Sequence, residues 1–155
     1  MAQDAADRFE LGTDGPKEIL VGVDDTTTSL RAGAYAAGLA RRQGASVTAV
    51  YVAPVSSLGA ATPGGADLAV ARRQASGQIA DDMRRRAEEA ARDLGIPITF
   101  IATEGDPYTE LRRIADEIRA DAVVVGASAK AGHRLIGSLA VRLVRAGRWP
   151  VTVVP

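Results

Sequence analysis

The stretch Gly126–Ser138, GASAKAGHRLIGS, holds residue types suited to binding a phosphate. Glycines at 126, 132 and 137 let a backbone approach an anion closely, and Lys130 and Arg134 carry positive charge. Gly137 and Ser138 open the apolar run LAVRLVRAG, which has helical character. A helix start presents amides with no intrahelical acceptor and the positive end of the helix dipole, so it favours an anion, and Ser138 adds a hydroxyl. Tight strand-to-helix turns also use glycine, so the loop by itself leaves both a phosphate site and a simple connection open. A second candidate is the acid pair Asp24 and Asp25, which ends the run KEILVGVD and precedes Thr26, Thr27, Thr28 and Ser29, themselves candidates for a helix cap. Acids in that place serve a ligand or cap the next helix.

Other chemistries lack their residues. The chain has no cysteine, which removes thiol catalysis, zinc-thiolate sites and disulfides. His133 is the only histidine, so no His-based metal cluster forms, and it is expected to be a polar loop residue. No Gly-x-Ser-x-Gly elbow surrounds Ser138, and no Gly-Lys-Ser/Thr segment of a P-loop is present. The paired glycines of an ATP pyrophosphatase loop are absent after the first strand. A phosphoacceptor receiver would need an Asp where the third strand ends in Thr103 and Glu104, and a Lys after the fifth. The expectation is a protein that is not an enzyme, with at most slow, incidental ATP hydrolysis.

The elements that must position these residues come from one domain of 155 residues, long enough to bury its own core. Lys+Arg and Asp+Glu balance at 19 each, so no bulk field draws in nucleic acid or an anionic membrane. Aromatic residues make up only 4% of the chain, too few for base-stacking platforms. No apolar run is long enough for a membrane span, and MAQDAADRFE has acids where a signal peptide has basic and apolar residues. A soluble, cytoplasmic protein with no nucleic-acid or membrane partner is expected.

Residues 1–15 have no periodicity and form a flexible lead-in to a domain over 16–155. Lys17–Asp24 is a buried parallel strand by its Ile and Val content. LRAGAYAAGLARRQG is a helix with Leu30, Ala34, Ala37 and Leu39 on one face, stopped at Gly44. Ser46–Val52 is the second strand. Ser56–Gly65, rich in Ser, Gly, Ala and Pro, is a loop that serves as a lid or a partner surface.

A helix runs from about Asp67 to Leu94, with Ile79, Met83, Ala87, Ala90 and Leu94 on its apolar face. Arg84, Arg85 and Arg86, flanked by Asp81, Asp82, Glu88 and Glu89, belong to its solvated face. Ile96–Thr103 is the third strand, Asp106 and Pro107 start the third helix, and Asp121–Gly126 is the fourth strand. Pro150–Val154 is the last strand, and Trp149 before it is a packing anchor or part of a dimer seam. Alternating strands and helices with continuous apolar strands make an α/β fold, a parallel sheet in the middle of three layers. Ligands in such sheets bind outside the carboxyl ends of the strands.

Over nearly all of Lys17–Pro155 the chain resembles the universal stress protein family. The likeness rests on ILVGVDDT, on AVYVAPV, on EGDPYTELRRIADEIRADAVVVGAS and on IGSLAVRLVRAGRWPVTVVP. It implies a doubly wound, five-stranded sheet in the order 3-2-1-4-5, the adenine nucleotide alpha hydrolase-like variant of the flavodoxin-like fold. It implies a stress-response sensor or regulator that binds ATP or another adenine nucleotide, with or without Mg²⁺, and a homodimer through Val151–Val154. By the same likeness Asp24 and Val52 lie at the adenine, Gly126 and Ala127 begin the phosphate loop, and Gly137, Ser138 and Leu139 hold phosphates. Gly22 stands where nucleotide-binding members often carry a residue that packs on adenine.

The sequence departs from the family pattern inside the phosphate loop. Ala129 replaces the second glycine, and only seven residues separate it from Gly137, where the family has nine. Two residues span at most about 7 Å, comparable with part of a triphosphate. Gly132 is placed to supply a replacement turn, and Lys130 and Arg134 to supply charge. The alternative expectation is a nucleotide-independent homodimer that acts through protein contacts.

Overall fold

The computed structural model describes residues 15–55, 62–127 and 137–155. Five strands, β1 (Glu18–Gly22), β2 (Ser46–Ala53), β3 (Ile98–Glu104), β4 (Ala122–Gly126) and β5 (Val151–Val154), form one parallel sheet in the order β3-β2-β1-β4-β5. This is the expected order. Four helices alternate with the strands: α1 (Thr27–Gln43), α2 (Gly65–Leu94), α3 (Pro107–Glu117) and α4 (Ser138–Ala146).

The central strand explains the layering. Ile19, Leu20 and Val21 are all fully buried, because a strand with helices on both faces has no solvent side. Ile19 and Val21 join a core under α1, while Leu20 joins Leu111, Ile114 and Leu143 beneath α3 and α4. At the amino ends the strands are tied by carboxylates. Asp121 Oδ2 accepts the amides of Lys17 and Glu18 at 2.9 Å each, and the Glu18 carboxylate accepts the hydroxyls of Thr48 (2.7 Å) and Ser46. At the other, open end of the sheet a cavity lies at the carboxyl ends of β1 and β4.

Several boundaries and one face differ from expectation. β1 ends at Gly22, so Asp24 and Asp25 follow the strand instead of closing it, and the ladder of β3 begins after Pro97. α2 starts at Gly65, inside the segment expected as loop, while residues 56–61 lie outside the described part. On α1 the buried stripe is Ser29, Ala32, Ala36, Ala37 and Ala40; Ala34 is exposed and Leu30 and Leu39 are half-buried. Small side chains at 32, 36 and 40 let this helix lie close on the sheet, which pushes its leucines to the flanks. The α2 face with Met83 toward the sheet, the ion pairs of Arg84, Arg85 and Arg86 with Asp81 and Asp82, and the half-buried Trp149 all agree with expectation.

Among the described glycines, the tightest approach to another stretch of backbone is at Gly126, the last residue of β4. A Cβ there would lie 2.6 Å from the carbonyl carbon of Thr28 and 2.7 Å from the nitrogen of Ser29. Both are backbone atoms at the start of α1, so neither can swing aside. The Thr28 hydroxyl donates to the carbonyl of Ala127 at 2.7 Å and fastens the same junction. Gly126→Ala is therefore expected to lower stability by about 1–3 kcal/mol through overpacking. Urea denaturation checks this, and an unchanged midpoint would show that α1 and β4 are not held at this distance.

Candidate functional site

The open end of the sheet holds a cavity of about 370 Å³ between β1 and β4, the strands at which the order of the sheet reverses. The structure brings Asp24, Val52, Gly126, Ala127, Gly137, Ser138 and Leu139 together around it. Lys130, Gly132 and Arg134, with Ala129 and His133, lie outside the described residues. Gly22 also lines the cavity; a Cβ there would meet Leu111 Cδ1 at 3.2 Å, so the glycine keeps that wall flat and the cavity wide.

The turn after β1 is built from short polar side chains. Thr26, not Asp24, is the N-cap of α1, and its hydroxyl accepts from the amide of Ser29 at 3.3 Å. Asp24 braces that cap: its Oδ1 accepts the amide and the hydroxyl of Thr26 at 2.8 and 2.6 Å. Ser29 closes the turn, accepting the Asp24 amide at 2.6 Å and donating to the Asp24 carbonyl at 3.2 Å. Asp24 is exposed, and its Oδ2 has no hydrogen-bond partner among the described residues. One oxygen thus shapes the turn, the other is without a partner among the described residues, and Asp24 lines the cavity, so the two readings open for Asp24 are compatible.

The start of α4 is arranged in the opposite way. Its N-cap is Gly137, which has no side chain to cap with, and the first intrahelical bond runs from Val141 N to the Gly137 carbonyl at 3.2 Å. The amides of Ser138, Leu139 and Ala140 therefore have no intrahelical acceptor, and all three residues line the cavity. Together with the dipole of α4 they make an acceptor-seeking wall. Among the described residues no cluster of His, Cys, Asp or Glu suits a metal ion.

Sequence reasoning did not place Thr26, Thr28, Ser29, Pro107 or Leu111 at this cavity, yet all of them line it. The run TTTS directly after the first strand was the available signal, since hydroxyls there face either the helix start or the cleft. Pro107 and Leu111 belong to α3 and gave no such signal.

The model of the universal stress protein family matches residues 16–155. A universal stress protein of Methanocaldococcus jannaschii, MJ0531, is 31% identical over 141 residues, which is 89% of this chain and 81% of that protein. The solved structure of UspA from Lactobacillus plantarum has a TM-score of 0.74 at 26% identity, covering 90% of this chain and 97% of its own. A universal stress protein crystallised in complex with cAMP has a TM-score of 0.68 at 24% identity over 90% of this chain and 97% of that one.

The wall formed by α3 and α4 is fixed by an ion pair. Asp106, the N-cap of α3, accepts the amide and hydroxyl of Thr109 at 2.9 and 2.8 Å, and Arg142 of α4 reaches its two oxygens at 3.1 and 3.2 Å. The Arg142 guanidinium also lies 4.2 Å over the Tyr108 ring. The hydrogen bonds from Arg142, followed by those from Thr109, hold the Asp106 carboxyl down at about 2. Both partners are about half exposed, so salt screens the pair and its energy is modest. Because the folded value is depressed, the stabilisation is present above the ordinary carboxyl range and is lost as pH falls from about 4 through about 2. Carbon-detected NMR titration is expected to place Asp106 near 2 and, in Arg142→Ala, distinctly higher. An Asp106 titration that ignores the substitution would show that the pair does not form in solution.

Proposed function

We infer that this chain, which belongs to the universal stress protein family, binds an adenine nucleotide in the cleft between β1 and β4 as a sensing or regulatory event. The observation that carries the reading is the start of α4, where the uncapped amides of Ser138, Leu139 and Ala140 line a cavity that also holds Asp24 and Val52. In this reading phosphate oxygens accept from those amides, Gly126 and Gly137 allow close approach, and the base lies toward Val52 and the free oxygen of Asp24. The relative of the same fold in complex with cAMP supports an adenine nucleotide with one phosphate. The phosphate loop, two residues shorter than the family pattern, favours a short phosphate chain over a triphosphate. The lining residues described include no Lys, Arg or His, and the one carboxylate, Asp24, is half engaged with Thr26. That suits binding better than a dedicated catalysis.

Calorimetric titration of nucleotide-free protein with ATP, ADP, AMP and cAMP, each with and without Mg²⁺, tests this. Saturable binding with AMP or cAMP at least as tight as ATP is expected, and Asp24→Ala weakens it. Ser138→Pro is the sharper variant. Proline is tolerated at the first helical position, and Gly137 at φ −58°, ψ 155° already has the conformation preferred before proline. The substitution removes one amide donor while the helix stays, and a hydrogen bond to a charged group is worth about 1.5–3 kcal/mol. Ser138→Pro should therefore weaken binding by roughly tenfold to a hundredfold, and more than Ser138→Ala, which keeps the amide. No heat at millimolar nucleotide would overturn the reading.

The same inference includes a homodimer through β5. This strand ends the sheet and is half-buried along its length. The carbonyls of Pro150 and Val154 accept from β4, at Val123 and Ala127, so the even-numbered residues face β4. The amides and carbonyls of Val151 and Val153 then point outward, toward a partner strand related by a two-fold axis. Val153→Pro removes one outward donor and leaves the ladder to β4 intact. Light scattering is expected to show a dimer for the native chain and Val153→Ala, and a monomer for Val153→Pro. A native monomer would rule the interface out.

A further inference from the structure

A second cavity, of about 340 Å³, lies on the other face of the sheet, between α2 and the carboxyl ends of β2 and β3. Its existence follows from side-chain size. Lower down, the larger Met83 and Leu94 of α2 and Ile98 and Phe100 of β3 fill the space between helix and sheet. One turn further toward the helix start, the positions bordering the sheet become Ala80, Gly77, Ser76 and Arg73, opposite Ala53 and Ala102; Gly77, Arg73 and Ala102 are open to solvent. A Cβ on Gly77 would meet nothing within 4 Å. Large residues below hold the layers apart and small ones above leave the gap unfilled.

The polar groups on this cavity have not satisfied one another. Tyr51 is only 5% exposed and lines the cavity, yet its hydroxyl has no hydrogen bond among the described residues. Among the described residues no fully buried side-chain oxygen lacks a partner, so this hydroxyl is not sealed in the core, and the cavity that Tyr51 lines gives it access to a ligand. Arg73 and Glu104 also line it, and neither makes an ion pair among the described residues, with each other or with anything else. An exposed, unpaired cation and an exposed, unpaired anion at the rim of one small cavity, with a reachable hydroxyl and methyl groups on its walls, are the complement of a molecule that carries both charges.

We propose that this cavity binds a free α-amino acid with an apolar side chain. Its carboxylate pairs with Arg73 and accepts from the Tyr51 hydroxyl, its ammonium pairs with Glu104, and its side chain lies against Ala53, Ala80 and Ala102. The volume is at the small end of ligand sites, as suits a molecule of that size. The site is independent of the nucleotide reading, because α2 contributes nothing to the cleft between β1 and β4.

The test is two-dimensional amide NMR on the full chain with L-leucine as the probe. Isocaproate, which is L-leucine without the ammonium, and isoamylamine, which is L-leucine without the carboxylate, serve as comparisons. L-leucine is expected to shift the amides of Gly77 and Ala102 saturably and leave those of Ser138–Ala140 unmoved. Isocaproate and isoamylamine should each bind roughly tenfold more weakly or less, as should L-leucine to Arg73→Gln and to Glu104→Gln. Gly77→Leu fills the open space and should abolish the shifts without lowering Tm, which separates loss of the site from loss of the fold. No saturable shift, equal binding of either truncated probe, or insensitivity to Arg73→Gln and Glu104→Gln would each overturn the proposal.

Discussion

The contact between the end of β4 and the start of α1 is the constraint on which the rest of the cleft depends. With no Cβ on Gly126, the backbone of Thr28 and Ser29 comes within van der Waals limits of the strand, and the Thr28 hydroxyl bonds to the carbonyl of Ala127. This closes one side of the gap between β1 and β4. It leaves the other side to α4, whose first residues follow β4 in sequence and face the same gap. A larger residue at 126 would push α1 outward and carry with it the turn from Asp24 to Ser29, since Ser29 holds both the amide and the carbonyl of Asp24. The geometry of the turn after β1, and with it one side of the cleft, is thus set by a single missing methyl group.

The helix starts around the cleft divide their labour. α1 and α3 satisfy their own first amides, with Thr26 and Asp106 as caps. α4, capped by Gly137, does not. A helix start left uncapped on a cavity wall forgoes about 1 kcal/mol that a Ser, Thr or Asp cap would supply. The sequence places a hydroxyl one residue too late for that role, at Ser138, where it adds to the donors on the wall. The bidentate bond from Arg142 to Asp106 ties α4 to the well-capped α3, so the helix with the least self-satisfied start is anchored by its neighbour.

Much of this was legible in the chain. Continuous apolar strands such as AVVVG announce burial on both faces, glycines at 44, 95 and 147 mark helix ends, and Asp106-Pro107 marks a helix start; each of these signals is local. The face of α1 was not legible, because a helix with alanine at so many positions has little hydrophobic contrast, and the choice of stripe is made by how closely it must approach the sheet. That a hydroxyl of the run from Thr26 to Ser29 caps α1 was legible, but which of the four does so was not, since any of them has the chemistry for it. Pro107 and Leu111 could not be assigned to the cleft from sequence, since their place there depends on the angle at which α3 crosses the sheet. The second cavity was invisible for the same kind of reason: it arises where small residues of α2 meet small residues of β2 and β3, and only the tertiary pairing reveals that coincidence.

The two cavities meet at one strand. Successive residues of a strand point to opposite faces, so at the end of β2 Val52 lines the cleft under α3 and α4 while Tyr51 lines the cavity under α2. The sheet itself separates them, and ligands on its two faces do not compete for space. They share the backbone of β2, which is pinned on both sides: Val50 bonds to Val23 through its carbonyl, and Ala53 accepts the Gly105 amide at 3.0 Å. A shift of β2 along its axis by one residue would exchange the two side chains and destroy both sites at once, so the register Tyr51 to Ala102 and Val52 to Thr103 is as much a part of either site as the residues that line it.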